Sequence, residues 1–230
     1  MRINPILTYV IFLLLAAGLL AASYWFDTSY LGLSFGFVFI TIIFFIVRFE
    51  GRKVEPKELV LLAVLAAIAA VGRIPFASIP SVQPTTFVIL MAGFVFGAES
   101  RFMLGAVAAL ASNMIIGQGP WTPWQMVAWG LVGLSAGFMK NTRFMNDKFG
   151  RLVFGIVWGY LFGWIMNIWG FLAIIQSGSP FDFKAFLVYL TGSALFDSMH
   201  AFSNAALLLL FGDIWLKILT RFKRKYGLLE

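Results

Sequence analysis

What most limits the fold of this chain is a succession of apolar runs whose few charges gather at their ends. Read this way, the 230 residues give eight hydrophobic spans, at 6–26, 30–48, 57–73, 84–98, 102–117, 124–140, 152–175 and 186–212. About 20 apolar residues in a helix cross a hydrocarbon layer about 30 Å thick. Several of these spans are shorter, and are expected to tilt or to be extended by their flanks. Hydrophobic residues make up 61% of the chain and charged residues 12%, against roughly 45–50% and about 25% in ordinary domains. No water-soluble domain of this length could hide so much apolar surface. The expected fold is therefore an all-α integral membrane protein.

The basic residues set the orientation. With the N-terminus inside, 15 of the 17 Lys and Arg fall on one side, and only Arg73 and Lys184 fall on the other. Lys and Arg collect in cytoplasmic loops, so both termini are expected in the cytoplasm, which requires an even number of spans. The formal charge of +7 is explained by this placement and needs no nucleic acid partner. Loops 74–83, 117–125 and 176–184 then face outward. Ala21-Ala22-Ser23 resembles a signal-peptide cleavage site, yet the first span is read as retained. The charged connector Arg48–Glu58 divides a two-helix extension, 1–54, from a six-helix core, 55–230. The basic run Lys217–Lys225 reads as a helix end anchored at an anionic inner leaflet.

One loop stands out. Gly117-Gln118-Gly119-Pro120-Trp121-Thr122-Pro123-Trp124-Gln125 puts two indoles and two carboxamides on a short, proline-stiffened turn between apolar runs. Proline removes a backbone donor and disfavours helix at the residue before it. Tryptophan collects where lipid meets water, so an interfacial belt is one reading. A ligand-facing rim accounts for the glutamines as well.

Polar residues within membrane spans are costly and usually face a cavity or one another. Asn113 lies near the outer end of its span. Trp164 and Asn167 share a helix face, as do Asp197, His200 and Asn204. With Gln83, Gln118, Trp121, Trp124, Gln125 and Trp129 they could line one outward-opening cavity, apolar apart from a few orienting groups. Asp197 and His200 read equally as a structural pair or as proton carriers. Arg73 reads equally as a long side chain reaching back to water. Small-residue spacings mark close helix packing: Gly93/Gly97, Gly133/Gly137 and Gly155/Gly159/Gly163 inside the core, Ala63/Ala67 and Ala66/Ala70 as a face for packing or for a partner helix.

Much chemistry is missing. No phosphate-loop motif is present, so the chain does not hydrolyse nucleotide by that route. Gly32-Leu-Ser-Phe-Gly36 matches GxSxG without the strand–turn–helix setting a nucleophile needs. One histidine and no cysteine argue against a metal site. No enzyme activity and no cofactor are expected.

At this point the core from about 56 to 225 resembles the substrate-binding S component of energy-coupling factor (ECF) type vitamin transporters. The likeness lies in six core helices with both ends inside, the alanine pairs on the first of them, and the outer loops Arg73–Pro84 and Gly117–Trp124. The stretch Gly117–Met126 is most similar to the cobalamin-type branch. The resemblance implies a prokaryotic multi-pass membrane subunit that captures a vitamin or precursor from outside. It implies docking through Ala63, Ala66, Ala67 and Ala70 on a membrane coupling protein that carries two cytoplasmic ATPases. The subunit then tips over in the bilayer to release its load, with cobalamin as the possible transported substrate. The helices over 6–48 depart from the six-helix pattern. A proton-coupled secondary transporter using Asp197 and His200, or an intramembrane enzyme, are the alternatives.

Overall fold

The computed structural model describes residue 14 and residues 30–51, 55–96 and 98–227. Beyond residue 14, the span expected at 6–26 lies outside them. Among the described residues the regular structure is entirely helical: α1 (Tyr30–Glu50), α2 (Pro56–Arg73), α3 (Pro84–Val95), α4 (Ala98–Ile116), α5 (Thr122–Met139), α6 (Arg143–Asn146), α7 (Lys148–Gln176), α8 (Phe183–Gly192) and α9 (Ala194–Tyr226). Among the described residues, three stretches have the length and apolarity to cross a membrane: Pro56–Phe76, Lys148–Gln176 and Ala194–Tyr226. The chain is an all-helical membrane protein.

Helix ends follow local chemistry. Pro56, Pro84 and Pro123 lie in first turns, where a missing N–H costs nothing. Asp147 accepts from the N–H groups of Phe149 and Gly150 and starts α7, a standard side-chain cap. Gly227 closes α9 with φ 55°, a left-handed conformation that glycine adopts freely. The last span differs from expectation. The run expected over 186–212 is broken at Ser193, and its second part continues to Tyr226. Ser193 turns its hydroxyl to the Leu190 carbonyl and the Asp197 carboxylate, so the break is held by side-chain bonding. The basic run 217–225 forms the last turns of α9.

Helix α3 is the centre. Every residue from Thr85 to Val95 is buried, as expected of a helix apolar on all sides. Helices α2, α4, α5 and α9 pack around it. Gly93, Gly133, Gly155, Gly159 and Gly163 each face a neighbouring helix closely, while Gly97 lies outside the described residues. A Cβ at Gly159 would strike the backbone of Ala201, and one at Gly155 would strike the Leu208 side chain, so α7 lies against α9. Gly105 and Gly133 meet the backbones of Trp129 and Arg101 in the same way, closing α4 on α5.

The alanine quartet on α2 divides. Ala66 and Ala70 are buried, at 3% and 2% exposure, whereas Ala63 and Ala67 lie on the exposed side. The turn angle explains it: positions 66 and 70 sit about 60° round the helix from 63 and 67, towards α3 and α4. The exposed alanines share an apolar stripe with Val60, Val64 and Ile68. Helix α1 packs elsewhere, on α4, α5 and α7, where Phe45 stacks on Phe102 at 3.8 Å.

Overpacking a tight helix contact costs about 1–3 kcal/mol. Gly159→Leu is therefore expected to lower the thermal midpoint of the purified protein by several degrees or to abolish folding. Gly212→Ala, where an added Cβ meets nothing, should leave the midpoint unchanged or raise it, since alanine favours helix over glycine by up to about 1 kcal/mol.

Candidate functional site

Because α2, α3, α4, α5, α7 and α9 alternate in direction, loops 74–83, 117–121 and 177–182 gather at one end of the bundle. The basic residues after α5 and at the end of α9 gather at the other. At the loop end, Gly117 has φ +134°, and a Cβ at Gly119 would enter the Trp121 ring. The turn therefore demands glycine at 117, and a larger residue at 119 would displace the Trp121 ring. Thr122 then begins α5 and reaches back, accepting from the Gly119 N–H at 3.3 Å and donating to Gln118 Oε1 at 2.8 Å.

From Thr122 a chain of polar contacts runs inwards. Asn113 is 1% exposed. Its Nδ2 donates to Thr122 Oγ1 at 2.9 Å and to Gln125 Oε1 at 2.7 Å. Its Oδ1 accepts from Arg73 Nη1 at 2.7 Å, and the same Nη1 reaches Ser112 Oγ at 3.1 Å. The half-buried Arg73 guanidinium lies over the Trp129 ring, 5.2 Å from its centroid, an attraction worth about 1 kcal/mol. Trp129 is fully buried, and its Nε1 donates to Thr86 Oγ1 at 2.9 Å. Thr86 Oγ1 lies 2.8 Å from His200 Nε2. A hydroxyl that accepts from the indole can give its own proton to an unprotonated ring nitrogen. Phe162 packs edge-on to the His200 ring and tilted against Trp129. Six helices thus meet through Arg73, Thr86, Asn113, Trp129, Phe162 and His200.

The expected site residues separate into groups. Asn113, Gln118, Gln125, Trp129 and His200 join this network. Gln83 stands at the start of α3 with its Oε1 buried and without a hydrogen-bond partner. Trp121 meets Trp169 edge-on at 6.0 Å. Trp124 is not at a cavity mouth. It is buried in the cluster with Val38, Ile42 and Phe102 that seats α1, because its position in the first turn of α5 faces α1 while Trp121 precedes the helix as its N-cap. Trp164 is 47% exposed, whereas Asn167 donates to Ser193 Oγ at 2.6 Å. Asp197, His200 and Asn204 do share a buried face, but their bonds go to Ser193, Thr86 and the Gly155 carbonyl respectively.

Reasoning from sequence missed Thr86, Ser112, Thr122 and Phe162 and undervalued Arg73. Arg73 carried a signal, since it is one of two cations outside the basic set. Thr86 follows Pro84 in a first turn and carried none.

A family model described as "ECF transporter, substrate-specific component" matches residues 57–212 of the 230. The match begins at the first turn of α2. No curated protein and no solved structure matches the chain.

The network can be tested at its hub. Thr86→Val keeps the shape and deletes the hydroxyl, leaving the Trp129 N–H and the His200 nitrogen buried without their partner. Such a loss costs about 1–3 kcal/mol. Thermal unfolding in detergent should show a clearly lower midpoint, while Thr41→Val, whose hydroxyl bonds the Phe37 carbonyl of its own helix, should change little.

Proposed function

The chain belongs to the ECF transporter substrate-specific component family, and on that footing we propose that it captures a vitamin or vitamin precursor from outside the cell. It hands that cargo to a membrane coupling protein carrying two ATPases. Orientation follows the basic residues: the loop end faces outward and both termini are cytoplasmic. The observation that carries this reading is the polar and aromatic network from Arg73 through Trp129 and Thr86 to His200. It gathers ring faces, carboxamides and a guanidinium where three loops converge. Such groups recognise a flat heterocycle bearing both donors and acceptors. A ligand entering there replaces internal hydrogen bonds with its own. The unpartnered Gln83 Oε1 supplies an acceptor ready for it.

Cobalamin or a related corrinoid is the first candidate, on the likeness of the Gly117–Met126 loop. A smaller heterocyclic precursor is the second reading, favoured by Trp124 being committed to the α1 cluster, which leaves Trp121 as the loop indole free for cargo. Mass spectrometry of ligand extracted from the purified protein distinguishes the two. Residues 1–54 form an added preface to the core, and α1 leaves the Ala63/Ala67 stripe of α2 open. Docking on the coupling protein uses that stripe, since small residues permit close approach of another helix in lipid. Ala66 and Ala70 hold α2 to its own core.

Bulky substitutions separate these roles. Ala67→Trp is expected to leave ligand binding by the isolated subunit intact while ATP-driven uptake falls to background. Ala70→Trp should lose folding and binding together. Normal uptake by the Ala67→Trp protein would remove the stripe from the docking role.

A further inference from the structure

At the basic end, the exit of α5, the short α6, the first turns of α7 and the last turns of α9 enclose a depression of about 500 Å³. Lys140, Arg151, Lys223 and Arg224 line it, with no carboxylate among the lining residues. The nearby acid, Asp213, is already engaged by Arg151 at 3.4 Å and Lys148 at 3.5 Å. Among the described residues, no carboxylate lies within ion-pair distance of Lys140, Lys223 or Arg224. Burial, and after it the like charges of Lys223 and Arg101, hold the Lys140 ammonium below its ordinary pKa.

Cations that merely anchor a helix end extend into water. Lys140, Arg151 and Lys223 are partly turned inwards, and Arg224 stands exposed at the rim. The Arg151 side chain is 14% exposed, and its Nη1 donates to the carbonyls of Met145 and Asn146, both at 3.0 Å. That pins α6 as a fixed rim. Phe94, Val95 and Leu216 supply an apolar wall beside the charges. Crowded like charges next to an apolar surface, at the end of a membrane bundle, match an anionic head joined to an apolar body. Basic pockets between membrane helices hold phospholipid headgroups for this reason.

We propose that this depression is a binding site for a phosphate-bearing anion, held by Lys140, Lys223 and Arg224 with any apolar portion against Phe94, Val95 and Leu216. The anion can come from an anionic phospholipid of the adjoining leaflet or from a soluble phosphate compound. Bound there, it relieves the repulsion between α5 and α9 and ties the end of α9 to α6 and α7.

The test measures binding by native mass spectrometry and thermal shift, using the purified full chain in phosphatidylcholine-containing micelles. One arm adds phosphatidylglycerol and the other adds inorganic pyrophosphate. The paired variants are Lys140→Gln/Lys223→Gln and, with the same loss of charge on α9, Lys217→Gln/Lys225→Gln, whose lysines do not line the depression. Two phosphate-contacting cations are worth about tenfold or more in affinity. Anion affinity should fall by at least that factor in the first pair and by less than about twofold in the second. Response to phosphatidylglycerol alone identifies a headgroup site, and response to pyrophosphate identifies a soluble anion. Both outcomes uphold the site. Equal losses in the two pairs would reduce it to general surface charge. Failure of the wild type to bind either anion would overturn it, as would substitutions that leave anion binding intact and disrupt only co-purification of a coupling protein. Should the first pair not fold, Arg224→Gln alone carries the comparison.

Discussion

A carboxamide or indole N–H buried among membrane helices is costly unless it finds a partner within the protein, because lipid offers none; the indoles of Trp124 and Trp169 carry that cost. Asn113 and Trp129 are where that requirement shapes the molecule. Asn113 uses both ends of its amide, tying the exit of α2 to the entry of α5. Trp129 ties α5 to α3, and through Thr86 to α9. Close helix approach through Gly159 and Gly133 brings the backbones near enough for these short side chains to reach. The polar contacts and the glycine contacts therefore depend on one another, and loosening either loosens the loop end.

The two ends of the bundle do different things with their charge. At the loop end the half-buried cation of the network, Arg73, is answered by a hydroxyl, an amide oxygen and a ring face. At the basic end, Lys140 is partly buried beside the like charges of Lys223 and Arg101, and the nearby Asp213 is already shared by two other cations. The first arrangement is closed on itself and opens only to something that replaces its bonds. The second has apolar and cationic walls without an acid between them.

How much of this could be read in advance depended on the kind of signal. Spans over α2, α4 and α7 were legible because length and apolarity are properties of a local segment. The glycine faces were legible because the spacing of Gly155, Gly159 and Gly163 has one meaning in a helix. The break at Ser193 was not, because its cause is a set of side-chain bonds to Asn167 and Asp197 within an otherwise apolar run. The inward turn of Trp124, Ala66 and Ala70 was missed for a related reason. A helical repeat says which residues share a side, and only the packed neighbours say which side faces inward. Arg73 and Thr86 depend on contacts across more than 39 positions of chain, beyond the reach of any local pattern.

The central claim is that cargo engages the hydrogen bonds running from Arg73 to His200. The indole N–H signals of protein labelled with nitrogen-15 at its eight tryptophans, assigned by single Trp→Phe variants, report on that directly. Titration with the ligand extracted from the protein should shift the Trp129 signal, whose proton is held by Thr86, while the signal of exposed Trp164 stays in place. An unmoved Trp129 signal at saturating ligand would contradict the claim and put the substrate site elsewhere in the bundle.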